Sequence, residues 1–189
     1  SVPNYWENKT TTTTFQPTTP AQNPNVHVRA NINMFQVHNV TFDSLDLVNH
    51  GDVFHCELCT HITIKNSNLD GEGAAQETVK VNQSNHMTFQ NNVIKNAWDN
   101  AIDFVAVNDS IITKNDISGA GDWCAYTKGG SNNITVTSNV IHNCGTGGYT
   151  AGQGTGLEYM VAPYYTYEAT NVLFENNFIH DTEGAAFGA

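Results

Sequence analysis

The sequence predicts an all-β chain, a parallel β-helix solenoid of about six to seven coils. Three observations carry this. A short pattern recurs: NHMTFQNNVI (Asn85–Ile94) aligns with NNITVTSNVI (Asn132–Ile141) and TNVLFENNFI (Thr170–Ile179). Its spacing is nearly constant. With the central apolar residue as position zero, the zero column reads Phe42, Ile64, Phe89, Ile112, Val136 and Phe174, at intervals of 22, 25, 23, 24 and 38 residues. A polar column runs through it. Plus three is Leu45 and Ser67, then Asn92, Asn115, Asn139 and Asn177. Strand-like units repeating every 20–25 residues or so are the mark of a solenoid.

Each element follows from side-chain alternation. Positions minus two (Val40, Ile62, Met87, Ser110, Ile134, Val172) and zero share one face of a first strand. An inward Asn at a tight bend satisfies backbone groups that the bend leaves unpaired, so stacked coils give an Asn ladder. Plus five (Leu47, Leu69, Ile94, Ile117, Ile141, Ile179) starts a second strand. Plus seven (Asn49, Gly71, Asn96, Gly119, Asn143, Asp181) offers residues that tolerate a left-handed bend. A third apolar run follows, as in Ile102 and Phe104. Three strands and three bends per coil result.

Residues 1–25 hold the run Thr10–Thr14 and Pro17, Pro20 and Pro24, which read as an extended lead-in or as a cap on the first coil. The β-helix occupies 26–189. A Gly- and Tyr-rich insertion is expected at Gly145–Ala169, where the 38-residue interval falls. Long insertions in solenoids lie on one face and often bind. Ala189 falls inside a strand-like segment, which suggests that the helix continues beyond it as part of a longer one, or docks on a neighbour.

Bulk properties narrow the partners. A net charge of −11 on 189 residues argues against nucleic acid and anionic membrane surfaces. No stretch approaches the roughly 18 apolar residues of a membrane span. Asn-x-Ser/Thr acceptors for glycosylation occur at Asn8, Asn39, Asn82, Asn108 and Asn133.

Candidate chemistry gathers on the third strand. If Ile102 and Phe104 point inward, Asp103 points outward, beside Lys80 of the previous coil and Tyr126 of the next, with Lys128 one step along. Carboxylates beside Lys suit calcium binding and proton abstraction, as uronate cleavage requires. The catalytic candidates are therefore Lys128, Asp103 and Tyr126, and calcium candidates are Asp99 and Asp122 at the preceding bend. The alternative is a solvated face of weak ion pairs. Sugar-binding candidates are Lys80 and the insertion residues Tyr149, Glu158, Tyr159, Tyr164 and Tyr165, because Tyr offers a flat apolar face and a polar tip. Those rings equally suit a cover over the β-helix wall. Lys128–Gly129–Gly130 allows close approach of a ligand to the backbone.

Cys56-x-x-Cys59, flanked by His55 and His61, is compatible with a metal site, a local disulfide or free thiols. Cys124 and Cys144 lie in neighbouring coils and are candidates for a bridge. The minus-one Thr row (Thr41, Thr63, Thr88, Thr135) has uneven charged neighbours, which argues against a flat ice-binding array.

The Asn ladder and three-strand coils from Val26 to Ala189 resemble the right-handed parallel β-helix superfamily that includes pectate lyases. More closely, Asp122–Trp123, Ala125–Tyr126, Lys128–Gly129–Gly130–Ser131, GTGGYTAGQGTGLEYM (Gly145–Met160) and IHDTEGA (Ile179–Ala185) resemble secreted bacterial β-helix repeat proteins without an assigned activity. The resemblance implies an extracellular or cell-surface protein that engages polysaccharide, with calcium-assisted uronate lyase chemistry as its enzymatic form. The other reading is a structural or self-associating fibre protein. No Arg follows Lys128 in the chain, which favours that second reading.

Overall fold

The structure, a computed structural model, describes residues 13–15, 28–155, 160 and 166–189. The described residues form a parallel β-solenoid without helices, so none is long and apolar enough to cross a membrane. Wall one stacks β1 (Thr13–Phe15), β4 (His38–Asp43), β7 (Thr60–Lys65), β9 (Asn85–Gln90), β11 (Asn108–Thr113), β14 (Ser131–Thr137) and β17 (Ala169–Glu175). Wall two holds β2 (Val28–Arg29), β5 (Asp46–Val48), β12 (Asp116–Ala120), β15 (Val140–Cys144) and β18 (Phe178–Thr182). Wall three holds β3 (Ile32–Phe35), β6 (Phe54–Glu57), β13 (Trp123–Lys128), β16 (Gly147–Ala151) and β19 (Ala185–Gly188).

Two strands change the expected layout. β8 (Asn68–Asn82) and β10 (Val93–Val105) run through the second bend without a break, so walls two and three merge into one 12-stranded sheet beside the 7-stranded wall one. The expected three separate strands per coil are thus replaced, in these two coils, by one long strand that turns the corner. Register shifts around Ala97 in the β8–β10 pairing mark that corner.

The columns are in the register that the repeat predicts. Phe42 pairs with Ile64, Ile64 with Phe89, Phe89 with Ile112, Ile112 with Val136 and Val136 with Phe174. The lead-in adds one rung, with Phe15 beside Phe42. Inward residues interlock across the walls. Phe54 meets Phe89 edge-on at 5.5 Å between ring centres, and Phe89 meets Phe104 at 5.6 Å. Each such ring contributes about 1.5–3 kcal/mol through burial.

The first bend is held by side chains. The carboxamide oxygen of Asn115 accepts from the backbone N–H of Asn92 at 2.9 Å and from its Nδ2 at 3.0 Å. Asn139 serves Asn115 in the same way at 2.9 and 3.0 Å, and Asn177 serves Asn139 at 2.9 and 2.9 Å. Each Nδ2 also donates to the zero-column carbonyl of the preceding rung: Ile64, Phe89, Ile112 and Val136. Ser67 continues the row, its N–H donating to Asn92 Oδ1 and its hydroxyl accepting from Leu45 N–H. Asn92, Asn115 and Asn139 are buried. Asn177, expected to be buried with them, is half-buried, because no later described rung covers it.

Rows of left-handed residues bend the coil. Plus two (Ser44, Asn66, Asn91, Lys114, Ser138, Asn176) and minus three (Asn39, His61, His86, Asp109, Asn133, Asn171) all have φ between 50° and 59°. Minus six is left-handed too, with φ from 48° to 83° at Gln36, Leu58, Gln83, Ala106 and Gly130. The plus-seven row holds at Asn96, Gly119, Asn143 and Asp181, but Asn49 is not left-handed, and in the second coil the left-handed conformation moves from Gly71 to Glu72 and Gly73. At the third bend the Ser84 hydroxyl accepts from Cys59 N–H and that of Ser131 from Val107 N–H, a smaller counterpart of the Asn row.

Asn115→Ala removes a donor and an acceptor that serve two rungs, leaving buried backbone groups unpaired. The expected cost is about 3 kcal/mol. A thermal melt should show a fall of roughly 10 °C, while the exposed-face change Gln90→Ala should leave the midpoint in place.

Candidate functional site

The outer face of wall three is built by two outward columns. His55, Lys80, Asp103, Tyr126 and Thr150 occupy successive rungs of one. Glu57, Asn82, Val105 and Lys128 occupy the next. Lys80 stands beside Asp103 and Tyr126 beside Asp103, as alternation predicts. Their burial was not expected. Asp103 is 0% and Tyr126 3% exposed although both face outward, because the outward side chains lie over one another.

Lys80 Nζ pairs with Asp103 Oδ2 and, at 3.3 Å, with Glu77 Oε1. Burial opposes the Lys80 charge most strongly, but Asp103 and Glu77 together outweigh it and hold its pKa above the usual lysine value. Burial pushes Glu77 up to about 6, against the pull of Lys80 and with a further push from Asp103 and Asp52. Burial, then the Asp103 charge, raises Tyr126 far above the usual phenol value, so its hydroxyl keeps its proton. Lys128 Nζ donates to that hydroxyl at 2.9 Å and lies 4.3 Å from the ring centre. Asp99 is raised by burial and by Asp122 and Asp103, and lowered by a Gln76 hydrogen bond and by Lys128. The carboxylates at the bend therefore belong to the same electrostatic cluster.

The insertion closes one side. β16 takes up Gly147–Ala151, so the expected insertion at Gly145–Ala169 shrinks to the chain between Gly152 and Glu168. Glu168 fastens it. Its Oε2 accepts from Gly129 N–H at 2.7 Å and its Oε1 from Thr155 N–H at 2.6 Å. Its backbone carbonyl accepts from Gly130 and Ser131 at 2.9 and 3.1 Å. Gly129 has φ of +67°, and a Cβ there would stand 2.7 Å from Val105 Cγ1. The Gly129–Gly130 corner, expected to receive a ligand, thus receives the chain's own carboxylate.

Between this stem and the wall lies a groove of about 440 Å³. Glu57, Asn82, Val105 and Lys128 run along it, with Lys80 and Gln83 beside them and Gly154 and Thr155 on the insertion side. Four rungs give it a length of about 14 Å along the helix axis. Five buried side-chain polar atoms among the described residues lack a partner in the chain, and three belong to this face: His55 Nε2, Asp103 Oδ1 and Thr155 Oγ1.

The remaining expectations divide. Tyr149 is not a surface ring: it sits in the inward column between Ala125 and Phe187, fully buried, stacked at 5.0 Å on Phe174, with its hydroxyl 2.8 Å from Thr127 Oγ1. The small Ala125 beside it leaves room for the ring, which rules it out as a sugar contact. Glu158, Tyr159, Tyr164 and Tyr165 lie outside the described residues. Asp99 and Asp122 are neighbours, with Asp122 N–H donating to Asp99 O at 2.9 Å, but Gln76 holds one carboxylate and Gln153 donates to the other at 3.0 Å. Among the described residues no three His, Cys, Asp or Glu side chains converge as a metal set. Calcium takes about 6–8 oxygens, so the residues present do not fit it. Cys56–Cys59 and Cys124–Cys144 are disulfides, which removes the thiolate ligands of a zinc site. The sequence offers His55 only as a flank of the cysteine pair, and Glu168 only as an insertion residue, neither as part of this face. His55 was legible as the rung before Lys80; Glu168 was not, because its contact spans the insertion.

A family model described as the right handed beta helix region matches residues 25–188. No curated protein and no solved structure matches.

Glu77 ties the cluster to pH. With its pKa raised from 4.5 to about 6, the folded protein holds this proton more tightly than the unfolded chain does. That favours the fold at low pH, and the advantage is lost as pH rises through about 4.5 to 6, by about 2 kcal/mol. Glu77→Gln should cancel this component. Urea unfolding at pH 4.5 and 7 should show a smaller change between the two pH values in the variant than in the wild type.

Proposed function

The chain belongs to the right-handed β-helix family, and from that premise we propose that it is a polysaccharide-binding protein acting outside the cell, with the groove of wall three as its binding face. The observation that carries this is the groove itself: an open channel along the axis, flanked by polar side chains, beside three buried polar atoms that have no partner in the chain. Sugar hydroxyls both donate and accept, so one ligand chemistry suits the carboxylate, amides and ammonium groups of Glu57, Asn82, Gln83, Lys80 and Lys128 that line the groove. Two disulfides support an oxidising, extracellular setting.

Charge favours a neutral polymer. Around the strip the carboxylates of Glu57, Glu77, Asp99, Asp103 and Asp122 outnumber the ammonium groups of Lys80 and Lys128. A polyuronate would meet net repulsion there. Lyase chemistry has little support from this geometry. Lys80 is held charged between two carboxylates, Tyr126 retains its proton, and the carboxylates make no calcium cage. Binding without cleavage is the reading that fits these constraints.

The test is affinity electrophoresis through gels containing mixed-linkage β-glucan, xylan, galactomannan, polygalacturonate or alginate. Migration should be retarded by at least one neutral polymer and by neither polyuronate. Lys128→Ala should lose most of that retardation, and no reducing ends should be released. Failure of every neutral polymer to retard the wild type, or retardation by the polyuronates alone, would sink the proposal.

A further inference from the structure

Trp98 is one of the large apolar side chains that the coils leave exposed, with Phe35 and Phe178. It is 57% exposed, at the second bend of β10, immediately before Asp99. The next rungs at this bend carry glycine. A Cβ on Gly121 would stand 2.1 Å from the Trp98 carbonyl, and one on Gly145 would stand 2.0 Å from the Gly121 carbonyl. Backbone packing thus keeps the two rungs that follow Trp98 at this bend free of side chains.

Asp99, the next residue in the chain, and Asp122, on the following rung, are held in carboxylate–amide pairs. Gln76 hydrogen-bonds Asp99, and Gln153 Nε2 donates to Asp122 Oδ2 at 3.0 Å. Asp99 also feels the charges of Asp103 and Lys128, so this bend and the groove cluster are within electrostatic reach of one another. Asp103, fully buried with Oδ1 unpartnered, lies between them along β10.

We propose that Trp98 and the carboxylate–amide pairs of Asp99 and Asp122 form a second saccharide subsite, in which the indole stacks on the apolar face of a pyranose ring. The inference rests on the polysaccharide-binding reading and extends it from the groove to the second bend. A flat aromatic face takes the C–H face of a sugar, and carboxylate–amide pairs at its edge accept from and donate to neighbouring hydroxyls. A neutral sugar is specified, since two carboxylates at the edge repel an anionic one.

The experiment uses the full chain and the same three neutral polymers, with the Trp98→Ala and Trp98→Phe variants. Far-UV circular dichroism and melting midpoints should match the wild type, because the ring is exposed. Dissociation constants from gel retardation should rise about tenfold in Trp98→Ala, and clearly less in Trp98→Phe. Tryptophan emission of the wild type should change on adding the retarding polymer, and this change should vanish in both variants. If the wild type is retarded and Lys128→Ala is not, but Trp98→Ala binds as the wild type does, the subsite is overturned while the groove stands. If no neutral polymer retards the wild type, the groove reading fails and the subsite with it.

Discussion

The fold depends on one side-chain interaction repeated up the axis. At the first bend the backbone turns too sharply to pair its own groups, and an inward carboxamide pairs them instead. Asn92, Asn115 and Asn139 each donate to the rung before and to the rung after, and are served by the next Asn in turn. A buried amide left unpaired costs about 1–3 kcal/mol, so a rung slipped by one residue would forfeit the carboxamide's bonds and turn the zero-column residues outward. The ladder therefore sets register. Register in turn places Lys80, Asp103 and Tyr126 in one outward column and opens the groove beside it.

This explains why so much of the fold was legible in sequence. A polar residue that must face inward is rare enough to stand out, and its period gives the coil length. The zero, plus-three and plus-five columns all pair as their spacing requires. What sequence concealed was conformation imposed by stacking. Leu58, Gln83 and Ala106 adopt left-handed φ, which their residue types do not advertise, because the rungs above and below turn at the same place. The merging of walls two and three was hidden for a similar reason: β8 and β10 continue through a bend that other coils break.

The site was legible in its neighbours and not in its depth. Alternation alone put Lys80 and Tyr126 beside Asp103. It could not show that these outward groups bury one another, since that follows from the reach of long side chains across rungs. Tyr149 misled because Gly147 and Gly148, which look like loop, are strand residues where a Cβ would strike Trp123 and Ile179. Ala125 opposite then makes room for the ring in the core. The role of Glu168 on this face was invisible because the residue that binds Gly129 lies far along the chain, beyond the insertion.

The ladder's role is tested most directly by native-state hydrogen exchange. The backbone N–H groups of Ser67, Asn92, Asn115 and Asn139 have side-chain carbonyls as their acceptors. If those bonds fix the register of the coils, these bend amides should exchange only on global unfolding, as slowly as the wall-one strand amides beside them. Exchange at the rate of solvent-exposed loop amides, with the strands still protected, would show that the walls hold register without the ladder and would contradict the account.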